Sequence, residues 1–311
     1  MRWWLTRSAV LLARTRPLGF YPGWRFGIDE ARRPDRLIRR RLRVWRFFHR
    51  EGVELPITVP WYEGLQVRLH LGNDLSRCLY VGGCYEPNEF AFLHKVLAPG
   101  MTFADAGAND GLYAMFAARR VGPAGAVLAF EPSTREFERL QDNLRLNEIT
   151  NVRAFRTALG RETGVATLRT AAAEHAGQNT LGQFVYAGVE CARLEQVPVE
   201  RLDDVVAREG VPAPDVIKMD VEGAEFAALL GARGTLEANH PLLLLELNDE
   251  ALWQQQSSAA EVLGFLRDVG YAVFTFDPTT GRPVRAANDA ELSPNVVAAH
   301  PARPWRSLEH G

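Results

Sequence analysis

Met101 to Glu131 reads MTFADAGANDGLYAMFAARRVGPAGAVLAFE, and the fold class follows from this stretch. A short apolar run, Met101 to Ala104, leads into Asp105-Ala106-Gly107-Ala108-Asn109-Asp110-Gly111. Helix formers follow from Leu112 to Arg120, and Gly122-Pro123-Ala124-Gly125 makes a turn. A second apolar run, Ala126 to Phe130, stops at Glu131. Strand, glycine turn, helix, strand and terminal acid form one βαβ unit, built to hold a nucleoside in its crevice. The plainer reading is a glycine turn that only packs helix on strand. Turn and acid agree with each other, however, and together they point to a cofactor.

Charge in the turn separates two cofactors. A dinucleotide rests its pyrophosphate on the helix N-terminus, where backbone N–H groups and the helix dipole favour anions. Asp105 and Asp110 would repel that group, and Gly107 and Gly111 lie four apart, outside the G-x-G-x-x-G spacing. Carboxylates suit a ligand with a cationic end, such as the ammonium and sulfonium of S-adenosylmethionine. Glu131 would accept hydrogen bonds from ribose hydroxyls in either case. The pattern therefore favours S-adenosylmethionine and disfavours an NAD-dependent oxidoreductase.

Downstream, Pro132 and Ser133 open a helix whose inner side carries Phe137, Leu140, Leu144 and Leu146. Asn151 to Thr157 reads as a third strand, closed by Ala158-Leu159-Gly160, where Ala158 is placed to reach the adenine. From Arg161 to Val199 the periodicity is poor. Val165–Leu168 and Val197–Val199 read as strands around a polar loop, and an excursion this long suits a lid or binding loop.

Asp215 to Gly231, DVIKMDVEGAEFAALLG, is the second informative stretch. Val216 to Met219 reads as a buried strand with Asp220 at its carboxyl end, and Gly223 turns the chain into a helix. Leu242 to Leu247 is a central strand, apolar until Glu246. In doubly wound sheets ligands bind outside the carboxyl ends of the strands, where strand order reverses. Asp105, Glu131, Asp220 and Glu246 are therefore expected to converge on one cleft. A helix (259–269) and two strands (271–276 and 295–299) complete the sheet.

With these segments in hand, the chain resembles FkbM-type methyltransferases of the Rossmann-like, S-adenosylmethionine-dependent class. DAGANDG (105–111), AFEP (129–132), RLQDNLRLN (139–147), IKMDVEGAE (217–225) and LLLLEL (242–247) carry the resemblance. IKMDVEGAE is specific to the family, whereas the glycine turn marks the wider class. The resemblance implies an α/β, doubly wound, seven-stranded sheet with its last strand antiparallel. It also implies O-methylation, often of sugar or polyketide-like hydroxyls. Asp105, Gly107, Asn109, Gly111 and Glu131 match the family's cofactor positions, and Lys218, Asp220, Glu222 and Glu246 match its other segments.

Methyl transfer is an in-line displacement at carbon, and a base that takes the acceptor's proton would help a weakly nucleophilic alcohol. Asp220 is the first choice for that base, set against a purely structural cap on the next helix. Lys218, if buried, needs a carboxylate partner, Asp220 or Glu246, and would hold the base or stabilise the developing alkoxide. Glu246 is read three ways: contact to substrate, a divalent ion shared with Asp220, or a structural partner of Lys218. The metal reading rests on carboxylates alone, so no metal is expected. His175, in the polar loop, is an alternative base, although a lone loop histidine is more often ordinary surface.

The N-terminal segment reads differently. Residues 1 to 50 hold fourteen arginines, no lysine and three acids, a formal +11 that leaves −13 for the remainder. Trp3 to Arg14 is too short to span a bilayer and makes a poor signal peptide, and Pro17 to Pro34 reads as irregular chain. Asp35 to Arg50 looks helical, with Asp35 as N-cap and Leu37, Ile38, Leu42, Val44, Trp45, Phe47 and Phe48 on one broad face. It fits a membrane surface or acidic partner, or an accessory helix docked on the acidic body, and docking is the expectation. Nucleic acid ranks lower, since no recognised binding module accompanies the arm.

The organisation expected is an arm (1–54), a β-hairpin and lead-in helix (55–98), a methyltransferase domain (99–300) and a tail (301–311). Hydrophobic residues at 47% and charged residues at 24% are ordinary for a soluble enzyme. Cys78, Cys84 and Cys191 form no C-x-x-C pair, which disfavours structural zinc or a disulfide framework. The expected setting is cytoplasmic or membrane-peripheral, with a glycan or other small-molecule hydroxyl as acceptor. Two further readings stay open, a non-catalytic cofactor- or glycan-binding module and a nucleic-acid methyltransferase.

Overall fold

The computed structural model describes residues 2–13, 36–286, 288–289, 292–305 and 308. Asp35 and the segment Pro17 to Pro34 lie outside the described residues. Two helices open the chain, α1 (Arg2–Ala13) and α2 (Arg36–Arg50). An antiparallel hairpin of β1 (Leu55–Pro60) and β2 (Gln66–Leu71) follows, turning at Tyr62–Gly64 as the Glu63-Gly64 pair predicts. The strand pattern stops at Leu71, because Asn73 caps a helical turn through its Oδ1 and residues 74–82 coil instead of extending. Next comes α3 (Pro87–Val96), with Pro87 in the first turn, where its missing N–H costs nothing.

The main sheet is built from β3 (Thr102–Ala106), β4 (Ala126–Phe130), β5 (Val152–Phe155), β9 (Val216–Met219), β10 (Leu242–Glu246), β11 (Ala272–Phe276), β12 (Pro283–Arg285) and β13 (Asn295–Ala299). Their spatial order is β12-β11-β13-β10-β9-β3-β4-β5. The five strands from β5 to β10 run parallel, and β13 lies antiparallel between β10 and β11. This is the α/β doubly wound sheet with an antiparallel last strand, carrying β12 as an eighth strand at its edge. The addition comes from a tight turn in which Asp277 Oδ1 accepts from the N–H groups of Thr279 and Thr280, folding β12 back on β11.

Helices α4 (Leu112–Val121), α5 (Thr134–Leu146), α6 (Leu202–Glu209), α7 (Glu225–Gly231), α8 (Arg233–Asn239), α9 (Asp249–Trp253) and α10 (Ala259–Asp268) cover the two faces. Alternate strand residues feed different cores. Phe103, Val127, Val216 and Leu244 pack with α4, the hairpin and the arm, whereas Ala104, Leu128, Ile217 and Leu243 pack with α6, α7 and α10.

A smaller sheet of β6 (Ala158–Leu159), β7 (Gly164–Ala171) and β8 (Cys191–Glu200) corrects the expected course of the chain. The third main strand ends at Phe155, and Ala158 pairs instead with Val199 of β8. The two short strands expected near Val165 and Val197 are the ends of one long antiparallel hairpin. Its alternation is hard to read because Val165 and Leu194 are apolar yet 72% and 56% exposed.

Candidate functional site

Chain order reverses between β3 and β9, which are parallel neighbours in the sheet. A cleft of about 290 Å³ opens there, at the carboxyl ends of the parallel strands, a size at the lower limit for small-molecule sites. Gly107, Ala108, Asn109 and Asp110 from the glycine turn line it, with Glu131 after β4, Ala158, Lys218, Asp220 and Glu222 around the end of β9, and Glu246 at the end of β10. Gly107 has to be glycine twice over. Its φ is +76°, and a Cβ would stand 1.8 Å from the Asp220 backbone oxygen. Turn and β9 end thus approach closely enough to share one crevice.

Three of the four acids expected to converge do so, and the fourth lies beneath them. Asp105 is fully buried, is absent from the cleft lining and faces Lys218, its register partner across β3 and β9. Gly111 is also absent from the cleft lining; its φ is +89°, and a Cβ there would stand 2.5 Å from Leu140 Cδ1 of α5. His175 is outside the lining too, its Nδ1 bound to Asp74 at 2.9 Å.

Lys218 is the only basic side chain among the described residues lining the cleft. Its ammonium lies 3.6 Å from Asp105 and 3.4 Å from Asp220, and donates to the carbonyl of Gly107 at 2.9 Å. Below it, the Tyr113 ring sits 5.1 Å away. Burial alone would lower the pKa of this amine, but the charges of Asp220, Asp105 and Glu86 reverse that and raise it. Lys218 therefore stays cationic and ties the glycine turn to the acid at the end of β9.

The acids around it outnumber their counter-charge. Glu246 is raised well above the usual carboxylate range, first by the negative charge of Asp220 and then by burial. Glu222 is raised too, by burial and then by Asp220. Glu131 is pushed up to about 8, mainly by burial, although its carboxylate accepts from the N–H groups of Asn109 and Ser133. Carboxylate oxygens of Asp220, Glu222 and Glu246 come within 4.8 Å of one another, a spacing that could bracket a hard cation, although such clusters are also common without one.

Glu86 belongs to this set and was not singled out from the sequence. It sits at the N-cap of α3 with φ +39°, accepts from Tyr113 Oη and Asn295 Nδ2, and is raised to about 8 by burial followed by the charges of Glu89 and Asp220. Its only signal in sequence is the Glu-Pro step that starts the helix. Glu86, Asn109 and Glu222 are three of the seven non-glycine residues with positive φ among those described, and all three line the cleft. Strained backbone of this kind gathers at functional sites.

The loop between β7 and β8 closes one wall, as its length suggested. Ala176 to Asn179, Leu181 and Tyr186 line the cleft. Thr180 Oγ1 donates to the carbonyl of Glu222 at 2.7 Å, and Tyr186 Oη accepts from Asn248 Nδ2 at 3.0 Å. Gly177 approaches so closely that a Cβ there would stand 2.9 Å from Asn109 Nδ2.

Three buried side-chain atoms of lining residues have no hydrogen-bond partner: Asn109 Oδ1, Asp110 Oδ1 and Gln178 Oε1. Each is an acceptor or an acid oxygen. A guest that completes these atoms must bring hydrogen-bond donors.

Residues 105–273 match the Methyltransferase FkbM domain family. Methyltransferase sdnD of Sordaria araneosa is 28% identical over 194 residues, 54% of this chain and 73% of that one. The 31-O-demethyl-FK506 methyltransferase FkbM of Streptomyces tacrolimicus is 30% identical over 225 residues, 64% and 81% of the two chains. The 2-O-methyltransferase NoeI of Sinorhizobium fredii is 24% identical over 207 residues, 60% and 82%.

Proposed function

Because this chain belongs to the FkbM methyltransferase domain family and is a methyltransferase, we propose that it moves a methyl group from S-adenosylmethionine to a hydroxyl of a glycan or secondary metabolite. The observation that carries the cofactor is the cleft itself, rich in acids and orphaned acceptor oxygens around one lysine. Oxygen as the methylated atom is supported by the names of two relatives, a 2-O-methyltransferase and a methyltransferase of 31-O-demethyl-FK506. The same reading assigns the chemistry to residues 99–300, with 1–54, 55–98 and 301–311 as accessory parts.

When bound, S-adenosylmethionine supplies an electrophilic methyl group on a sulfonium leaving group. Glu131, Asn109 and Ala158 line the part of the cleft assigned to its nucleoside, with Gly107 giving the backbone room. Asp105 acts from below, through Lys218. Asp220, at the open end of β9, takes the acceptor's hydroxyl proton as the new bond forms. Lys218 supplies its counter-charge and fixes it against the turn at Gly107. Glu246, whose affinity for a proton is raised by the negative charge of Asp220 and then by burial, stands beside Asp220 at the acceptor end of the cleft. The loop at 176–186 excludes water.

A panel of hydroxylated glycans and polyketide-type alcohols, incubated with the full chain and methyl-labelled S-adenosylmethionine, tests the acceptor class. Label on a hydroxyl oxygen is the expected result. Label on RNA or DNA alone would replace it with the nucleic-acid reading, and no label on any acceptor would favour a binding module.

A further inference from the structure

The arm buries the face that an interfacial helix would insert. Ile38, Val44, Trp45 and Phe48 of α2 are all buried, and Trp45 Nε1 donates to the carbonyl of Asn73 at 3.0 Å. The amphipathic face of α2 is therefore spent on docking. What remains in water is a single stripe of one charge: Arg36, Arg39, Arg40, Arg43, Arg46 and Arg50 are all exposed and recur at helical spacing. Arg50 pairs with Glu51 at 3.4 Å, and the other five meet no carboxylate among the described residues. Docking through apolar side chains has left the positive charge unneutralised by the acidic body.

Helix α1 adds a second kind of exposed surface. It is fastened to α2 by Arg41, whose guanidinium is buried and donates to the carbonyl of Leu12. Its outward residues are Trp4, Arg7 and Leu11, at i, i+3 and i+7, with Trp4 69% and Leu11 64% exposed. Large apolar side chains this open are rare in the rest of the described chain. Tryptophan, leucine and arginine on one face of α1, and a stripe of arginines on the α2 helix packed against it, match the interface of a bilayer bearing anionic headgroups.

We propose that the α1–α2 pair is a peripheral docking surface for anionic lipid membranes, with Trp4 and Leu11 entering the headgroup layer and the α2 arginines binding its phosphates. The surface adjoins the site. Trp45 is pinned to Asn73 and Ser76, and the same segment supplies Asp74, Leu75 and Cys78 to the cleft lining. The described residues contain no helix long and apolar enough to cross a membrane.

The test is sedimentation of the full chain with vesicles of equal parts phosphatidylserine and phosphatidylcholine, against pure phosphatidylcholine. The expected result is binding to the anionic vesicles alone, falling steeply as salt rises. Each of Arg39→Gln, Arg43→Gln and Arg46→Gln should weaken it about five-fold. Trp4→Ser with Leu11→Ser should weaken it at all salt concentrations, with thermal melting unchanged. No binding to anionic vesicles would overturn the proposal. So would vesicle binding indifferent to these substitutions, or capture of RNA in place of vesicles with the same arginines required.

Discussion

The two strongly charged regions of the molecule treat their charge in opposite ways. The cleft gathers its acids out of water around one lysine, so that Glu86, Glu131, Glu222 and Glu246 are all raised, by burial or by one another. Among the described residues the arm buries its apolar face and one guanidinium, that of Arg41, and leaves six arginines of α2 in solvent. Burial makes charge expensive and specific, whereas exposure leaves it cheap and long-ranged. The first arrangement suits a small guest whose charge must match, and the second suits an extended surface that need only be negative.

That contrast breaks most visibly at Asp220. Asp220→Asn should lower methyl transfer on the order of 10²- to 10⁴-fold while cofactor affinity stays within a few-fold. Kinetics on the acceptor found in the panel, beside calorimetry for the cofactor, separate the two. An unchanged rate would leave Asp220 as no more than the ion-pair partner of Lys218, since the N–H groups of Val221 and Gly223 that a cap on the next helix would take donate to Glu225 instead. Lys218→Met strips the counter-charge from two acids, one of them fully buried, and should cost on the order of 3–5 kcal/mol of stability in denaturant melts.

Arg41→Met tests the buried charge of α2. Losing its hydrogen bond to Leu12 should cost about 1.5–3 kcal/mol, whereas Arg43→Gln on the exposed stripe should stay within about 0.5 kcal/mol. Equal costs at the two positions would erase the distinction between the buried and exposed arginines.

A pH scan sharpens the cleft half of the comparison. Asp105, Asp110 and Glu131 are raised to about 6, 7 and 8, each mainly by burial. The folded protein therefore holds protons that the unfolded chain has already released. Their contribution to stability is full below the ordinary carboxylate range and is lost as pH rises through these values. The ligand-free melting temperature should fall between about pH 5 and 8, and a cationic ligand should restore more of it at the upper end. A flat profile would mean that these acids are ionised throughout.

How much of this was legible depended on whether a residue's neighbours were sequential or distant. The parallel strands could be read because each apolar run ends at a turn or an acid, as Ala126–Phe130 does at Glu131. Asp105 and Asp220 look alike in that pattern. Only the register of β3 against β9 puts one under Lys218 and the other in the cleft. Glu86 was hidden because its partners, Tyr113 and Asn295, lie 27 and 209 residues away. The β7–β8 hairpin escaped because its exposed apolar side chains blur the alternation, and α1 because a short stretch mixing tryptophan and arginine has no clear period.

Isothermal titration of the full chain with S-adenosylmethionine and, separately, with NAD tests the central claim most directly. Binding of S-adenosylmethionine without NAD, weakened when Glu131→Gln removes a carboxylate from the cleft, is the result this account predicts. Binding of NAD alone, or of neither, would contradict it.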